Sequence, residues 1–141
     1  MKQKGFTLIE LLVTMGIIAI LAGMSIFNFN QSRMRARDVQ RKSDLSQLKN
    51  ALELYKIDNN GQYPSDNTLP NLQNTLHLGK YTTVTFADPS GSSWDSYSYS
   101  PSNSNTTYIL TACLENKADT TRVLNSTCSA GSGVLYQVNN P

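Results

Sequence analysis

From Phe6 to Phe29 the chain runs for 24 residues with a single charged side chain, Glu10. As an α-helix that stretch is about 36 Å long at ~1.5 Å per residue, enough to cross a hydrocarbon core of ~30 Å. A cleaved secretory signal is the competing reading. Its apolar region is usually ~7–15 residues and ends in a small-residue cleavage site. Here the run is longer, has no clear Ala-x-Ala ending and passes directly into a charged helical pattern, so a retained anchor is predicted. Lys2 and Lys4 precede the span, while Arg33, Arg35, Arg37, Arg41 and Lys42 follow it. Flanking charge alone therefore does not fix its orientation.

The net charge of +2 conceals a division at residue 56. The first 56 residues hold nine Lys/Arg and four Asp/Glu, and the last 85 hold three and six. Proline is absent before Pro64, and Ser, Thr and Asn make up 34 of the last 85 residues. The front is compatible with one long helix and the back is polar and turn-rich, which predicts a helix followed by a small β-rich domain. Bulk basicity of the kind a nucleic-acid binder carries is absent.

The helix is expected to continue through 30–57. Asp38/Lys42 and Lys49/Glu53 stand at i,i+4, and Leu45, Leu48, Leu52 and Tyr55 recur at spacings of 3, 4 and 3. The stripe begins at Leu45, so the domain is expected to cover the helix from about there and to leave 30–44 protruding. The basic cluster from Arg33 to Lys42 lacks interleaved aromatics. Anchoring to acidic lipid, or ion pairs to neighbouring subunits, is its expected role, with DNA binding an option only at the level of a filament.

Glu10 is the anomaly in the span, since an acid inside a membrane helix costs ~2.5–3.5 kcal/mol on insertion scales. Locally, Thr7-x-x-Glu10 fits a capping box at the positive end of the helix dipole. The wider string Gly5-Phe6-Thr7-Leu8-Ile9-Glu10, behind a short basic leader and ahead of the apolar run Leu11–Gly23, resembles the processing site of type IV prepilins and pseudopilins. The resemblance covers residues 1–65 well and the remainder only in architecture.

That resemblance implies cleavage between Gly5 and Phe6 by a membrane prepilin peptidase, then N-methylation of Phe6. It implies a pilin-like α+β fold, with one long helix packed on a small antiparallel sheet. The implied organisation is a leader at 1–5, a transmembrane and filament-core helix at 6–29, its soluble continuation at 30–57, and a β-rich head at 58–141. Cleavage leaves an ammonium at Phe6, and a charge in lipid needs a partner. Glu10 of one subunit is expected to neutralise the Phe6 amine of the next during assembly. Many relatives kink this helix with a proline; here Phe27 stands at the corresponding place, and any unwinding is expected near Gly23.

In the head, Asn59-Asn60-Gly61 is expected to end the helix with Gly61 as the left-handed cap. A short helical turn is expected around Leu69–Leu76. Strands are predicted at Tyr81–Phe86, Ser96–Ser100, Thr107–Leu114 and Val134–Val138, with a turn at Pro101–Asn105 and both Tyr97 and Tyr99 on one face. Cys113 and Cys128 form a disulfide by default in a periplasmic or extracellular domain, as the resemblance also implies. Asn105 and Asn125 begin glycosylation sequons, a weak signal.

No catalytic constellation is evident. His77 is the lone histidine and reads as a packing residue, and no Gly-x-Ser-x-Gly elbow occurs. An enzyme is not expected, nor a metal or cofactor. Calcium stays open as an option, because the resemblance to major pseudopilins implies it near this region, although Glu115 and Asp119 alone are too few acids to carry that site over residue by residue. Three functions are compatible with these features. The first is the subunit of a type IV pilus for adhesion, motility or DNA uptake. The second is a major pseudopilin of type II secretion, and the third a membrane-anchored binding protein that never polymerises. The implied partners are identical subunits, the prepilin peptidase, an inner-membrane assembly platform and, before assembly, lipid. The implied location is the cytoplasmic membrane, then a surface pilus or a periplasmic pseudopilus.

Overall fold

The structure, a computed structural model, describes residues 5–95, 97–123, 126, 128 and 133–140, with backbone alone at 25–28. The leader before Gly5, Ser96, and Asn125 and Thr127 of the second sequon lie outside the described residues. The chain divides into two compact units, Met1–Met34 and Arg35–Pro141. Helix α1, Leu8–Asp58, supplies the whole regular structure of the first unit and the first element of the second. It continues through Gly16 and Gly23.

α1 ends on a left-handed turn. The Gly61 N–H donates to the Lys56 carbonyl at 3.0 Å, and Asn60 and Gly61 both have positive φ, 54° and 79°. This is a Schellman arrangement in which Asn60, rather than the expected Gly61, is the first left-handed residue. The Asn59 side chain also caps the Tyr55 carbonyl at 2.8 Å. Helix α2 follows at Leu69–Leu78 and buries Leu69, Leu72, Gln73 and Leu76, one face at helical spacing.

Strands β1 (Ser98–Ser102), β2 (Thr107–Leu114) and β3 (Val134–Asn139) form an antiparallel sheet in the order β1-β2-β3. The β1–β2 turn spans residues 103–106, and three consecutive residues there, Asn103, Ser104 and Asn105, have positive φ. Tyr97 and Tyr99 are both buried, as alternation requires. The expected strand at Tyr81–Phe86 is not formed. The Gln73 amide takes its end instead, donating to the Phe86 carbonyl and accepting from the Phe86 N–H, both at 2.9 Å. His77 Nε2 donates to the Val84 carbonyl at 2.9 Å. These side chains of α2 provide what a neighbouring strand would have supplied.

The core joins Leu45, Leu48 and Leu52 of α1 with Leu72 and Leu76 of α2 and Tyr99, Tyr108 and Leu110 of the sheet. Each fully buried leucine contributes roughly 1.5–3 kcal/mol. The tyrosine hydroxyls reach polar partners: Tyr99 donates to the Pro64 carbonyl and Tyr97 to Asp44, each at 2.7 Å, and Tyr63 to Glu53 at 2.9 Å. Cys113 and Cys128 are disulfide-bonded, with Cα atoms 5.9 Å apart. Closing such a loop contributes roughly 3 kcal/mol in the chain-entropy account. Gly133 lies beside the bridge, where a Cβ would stand 2.9 Å from both the Leu114 carbonyl oxygen and the Trp94 ring.

Candidate functional site

The first unit begins with the residues singled out for processing and assembly. Thr7 is the residue ahead of α1, and the expected capping box is formed. Glu10 Oε2 accepts from the Thr7 N–H at 2.8 Å and from its hydroxyl at 2.6 Å, while the Glu10 N–H donates to Thr7 Oγ1 at 3.3 Å. One carboxylate oxygen carries both bonds, so capping leaves Oε1 able to accept from outside the chain. Every described side chain from Gly5 to Met24 is exposed, Phe6 by 88% and Leu8 by 86%. α1 is long and apolar enough to cross a membrane. Apolar surface on this scale requires lipid or another helix.

In the second unit the structure corrects the expected protrusion from Arg37 onward, whereas Arg35 and Ala36 are exposed as expected. Contact between the helix and the head begins before Leu45, and polar residues make it. Asp38 and Arg41 are 3% and 0% exposed. Arg41 donates to both oxygens of Asp88, at 2.7 and 2.9 Å, to Asp38 and Glu115 at 2.8 Å each, and to Ser90 Oγ at 3.1 Å. The Trp94 ring centroid lies 5.2 Å from its guanidinium carbon. Arg37 forms a two-point pair with Glu115 at 2.7 and 2.5 Å. Asp38 also accepts the backbone N–H groups of Glu115 at 2.9 Å and Asn116 at 2.8 Å. Lys42 pairs with Asp119 at 2.6 Å rather than with Asp38 as the i,i+4 spacing predicted.

Arg37, Arg41 and Lys42 thus pair within the chain, which replaces the expected lipid or intersubunit role for them. Arg33 lies over the Phe29 ring at 4.7 Å, and Arg35 is exposed. The basic cluster is therefore no continuous track for a nucleic-acid backbone. Glu115 and Asp119 do not fit a calcium ion either. A calcium ion takes ~6–8 oxygen ligands, and both carboxylates are already committed to Arg37, Arg41 and Lys42. Sequence reasoning missed Asp38, Arg41 and Asp88 because each resembles a solvated surface residue until the fold joins positions 47 to 78 residues apart.

These pairs set a response to acid. Hydrogen bonds from Arg37, outweighing desolvation and helped by Arg41, hold the Glu115 carboxyl at about 2. Burial raises Asp119, but bonds from Lys42 and Thr121 outweigh it and bring the group to about 2. Both folded values lie below the ordinary carboxylate range. Their stabilisation is therefore present above pH ~4.5 and is lost as the pH falls towards ~2, at ~1.4 kcal/mol per unit of difference. Burial raises Asp44, which works in the opposite sense. Denaturant titration at pH 7 and pH 3 is expected to show a head weaker by a few kcal/mol at pH 3; equal midpoints would contradict this.

Comparison with known proteins decides the family. The prokaryotic N-terminal methylation motif matches residues 1–26, and the family model for type II secretion system (T2SS) protein G matches residues 28–123. The chain belongs to the type II secretion system protein G family. The family's core protein G from Escherichia coli K12 is 35% identical over 103 residues, covering 66% of this chain and 70% of that protein. Its counterpart from Aeromonas hydrophila is 41% identical over 64 residues, 45% of this chain and 44% of the relative. The type IV wide pilus major component PilA4 of Thermus thermophilus is 48% identical over 59 residues, 42% of this chain and 45% of the relative. These last two matches thus span under half of each relative. No solved structure matches significantly. Family membership supports the pilin-like reading and, within it, favours the pseudopilin over the pilus subunit placed first on sequence alone.

Proposed function

We propose that this chain is the major pseudopilin of a type II secretion system, the repeating subunit of a short fibre built on the cytoplasmic membrane. The observation that carries this is the protein G match over residues 28–123, which reaches past the generic N-terminal motif into the head. The subunit is held in lipid by Phe6–Phe29 after synthesis and moves into the fibre when identical helices replace the lipid. A prepilin peptidase cuts after Gly5 and methylates Phe6, and an inner-membrane platform receives the product. The protein works by assembly, not by catalysis.

Gly5 supports this assignment in a specific way. Among the described residues a Cβ built there meets nothing within 4 Å, so no described neighbour packs against that position in a way that needs glycine. The requirement lies with the enzyme that must fit the backbone. Gly5→Val is expected to leave the precursor in the membrane at full mass, a loss of processing of more than tenfold by immunoblot. Unchanged cleavage would remove Gly5 from the processing site.

The PilA4 match supports a second reading, the subunit of a type IV pilus. Deleting the gene and imaging the complemented strain separates the two. Loss of protein secretion, with short periplasmic fibres on overexpression, is expected. Long surface fibres with normal secretion would favour the pilus, and uncleaved, evenly spread monomers would exclude both.

A further inference from the structure

Arg41 stands where three separate segments bring carboxylates together: Asp38 from α1, Asp88 from the loop after α2, and Glu115 from the end of β2. An arginine has five N–H donors, and all five are engaged, two with Asp88, one each with Asp38, Glu115 and Ser90. Its side chain is 0% exposed. Among the described residues no buried side-chain nitrogen or oxygen lacks a partner. Three carboxylates sharing one point repel each other unless a cation sits between them. In many proteins that cation is a metal, since hard divalent ions take oxygen ligands from several segments at once. Here the guanidinium occupies that point, and Arg37 offsets Glu115 from outside.

We propose that Arg41 is a built-in cation that takes the place of a bound divalent metal among Asp38, Asp88 and Glu115, closing the head onto α1 with no metal needed. The Asp88 loop and the Glu115–Asp119 loop are then latched by a residue of the helix itself, and closure is independent of the calcium level outside the cell. A purely apolar anchoring of the head would not give this arrangement a charge requirement. It would also give a vacated cluster no affinity for a metal.

The test uses the full chain in detergent. Trp94, the sole tryptophan, faces the Arg41 guanidinium and reports on the cluster by fluorescence. The wild-type Tm is expected to be the same with a chelator and with millimolar calcium. Arg41→Ala should lower the Tm by more than about 10 °C in chelator, because a buried charge cluster has lost its counter-ion. Calcium should restore at least half of that loss, or should be required for folding if the variant is unfolded without it. Arg41→Lys, which keeps the charge but loses the fork, should fall between the two and respond little to calcium. A wild-type Tm that rises with calcium would overturn the proposal. So would an Arg41→Ala chain, folded or not, that gains nothing from it.

Discussion

Glu10→Gln is expected to give a chain that is cleaved, methylated and retained in the membrane, yet forms fibres at less than a tenth of the normal yield. Glutamine at the third helical position can still serve a capping box with Thr7. The helix start therefore survives and only the charge is lost. What disappears is the partner for the ammonium that cleavage creates at Phe6, a charge left unpaired against apolar neighbours. A loss of ~1.4 kcal/mol per subunit contact already shifts association tenfold. The geometry permits both tasks, because Oε2 holds both Thr7 bonds. Sheared-fibre yield with processed protein as the reference measures the effect. Normal yield from Glu10→Gln would mean that capping is the residue's whole role.

Asp38→Asn is expected to be the most damaging single change of polarity in the head. Its carboxylate accepts three different N–H groups, from Arg41 and from the backbone of Glu115 and Asn116. An asparagine can offer only one oxygen to them and turns its amide N–H₂ towards a donor. Removing one partner of a buried pair costs about 3–5 kcal/mol, or a Tm lower by on the order of 10–20 °C for a head of this size. Arg35→Ala provides the comparison three residues earlier on the same helix. Arg35 is exposed and makes no ion pair among the described residues, and such surface changes stay within about 0.5 kcal/mol. Similar melting of the two variants would show that the cluster does not latch the head.

The features legible in the sequence are those written in local periodicity. The apolar run and the Leu45–Tyr55 stripe give α1 to within a residue at its C-terminal end, and the apolar, β-branched run Thr107–Leu114 gives β2 at its observed limits. The Cys113–Cys128 bridge followed from the compartment the membrane segment implies. What stayed hidden depends on distant partners. Tyr81–Phe86 has strand composition, but the side chains of Gln73 and His77 satisfy its backbone instead. Asp38 and Arg41 extend the face of the Leu45 stripe at spacings of 3 and 4, but as polar residues, and their burial follows from Asp88 and Glu115 meeting them there. At the end of α1, an Asn-Asn-Gly sequence offers two left-handed residues, and the Gly61–Lys56 bond selects Asn60 as the first.

The most direct test of the central claim is N-terminal sequencing, with intact mass, of the chain recovered from membranes and sheared fibres. The account predicts a start at N-methylated Phe6, with Met1–Gly5 gone. A mature protein that retains Met1 would contradict it.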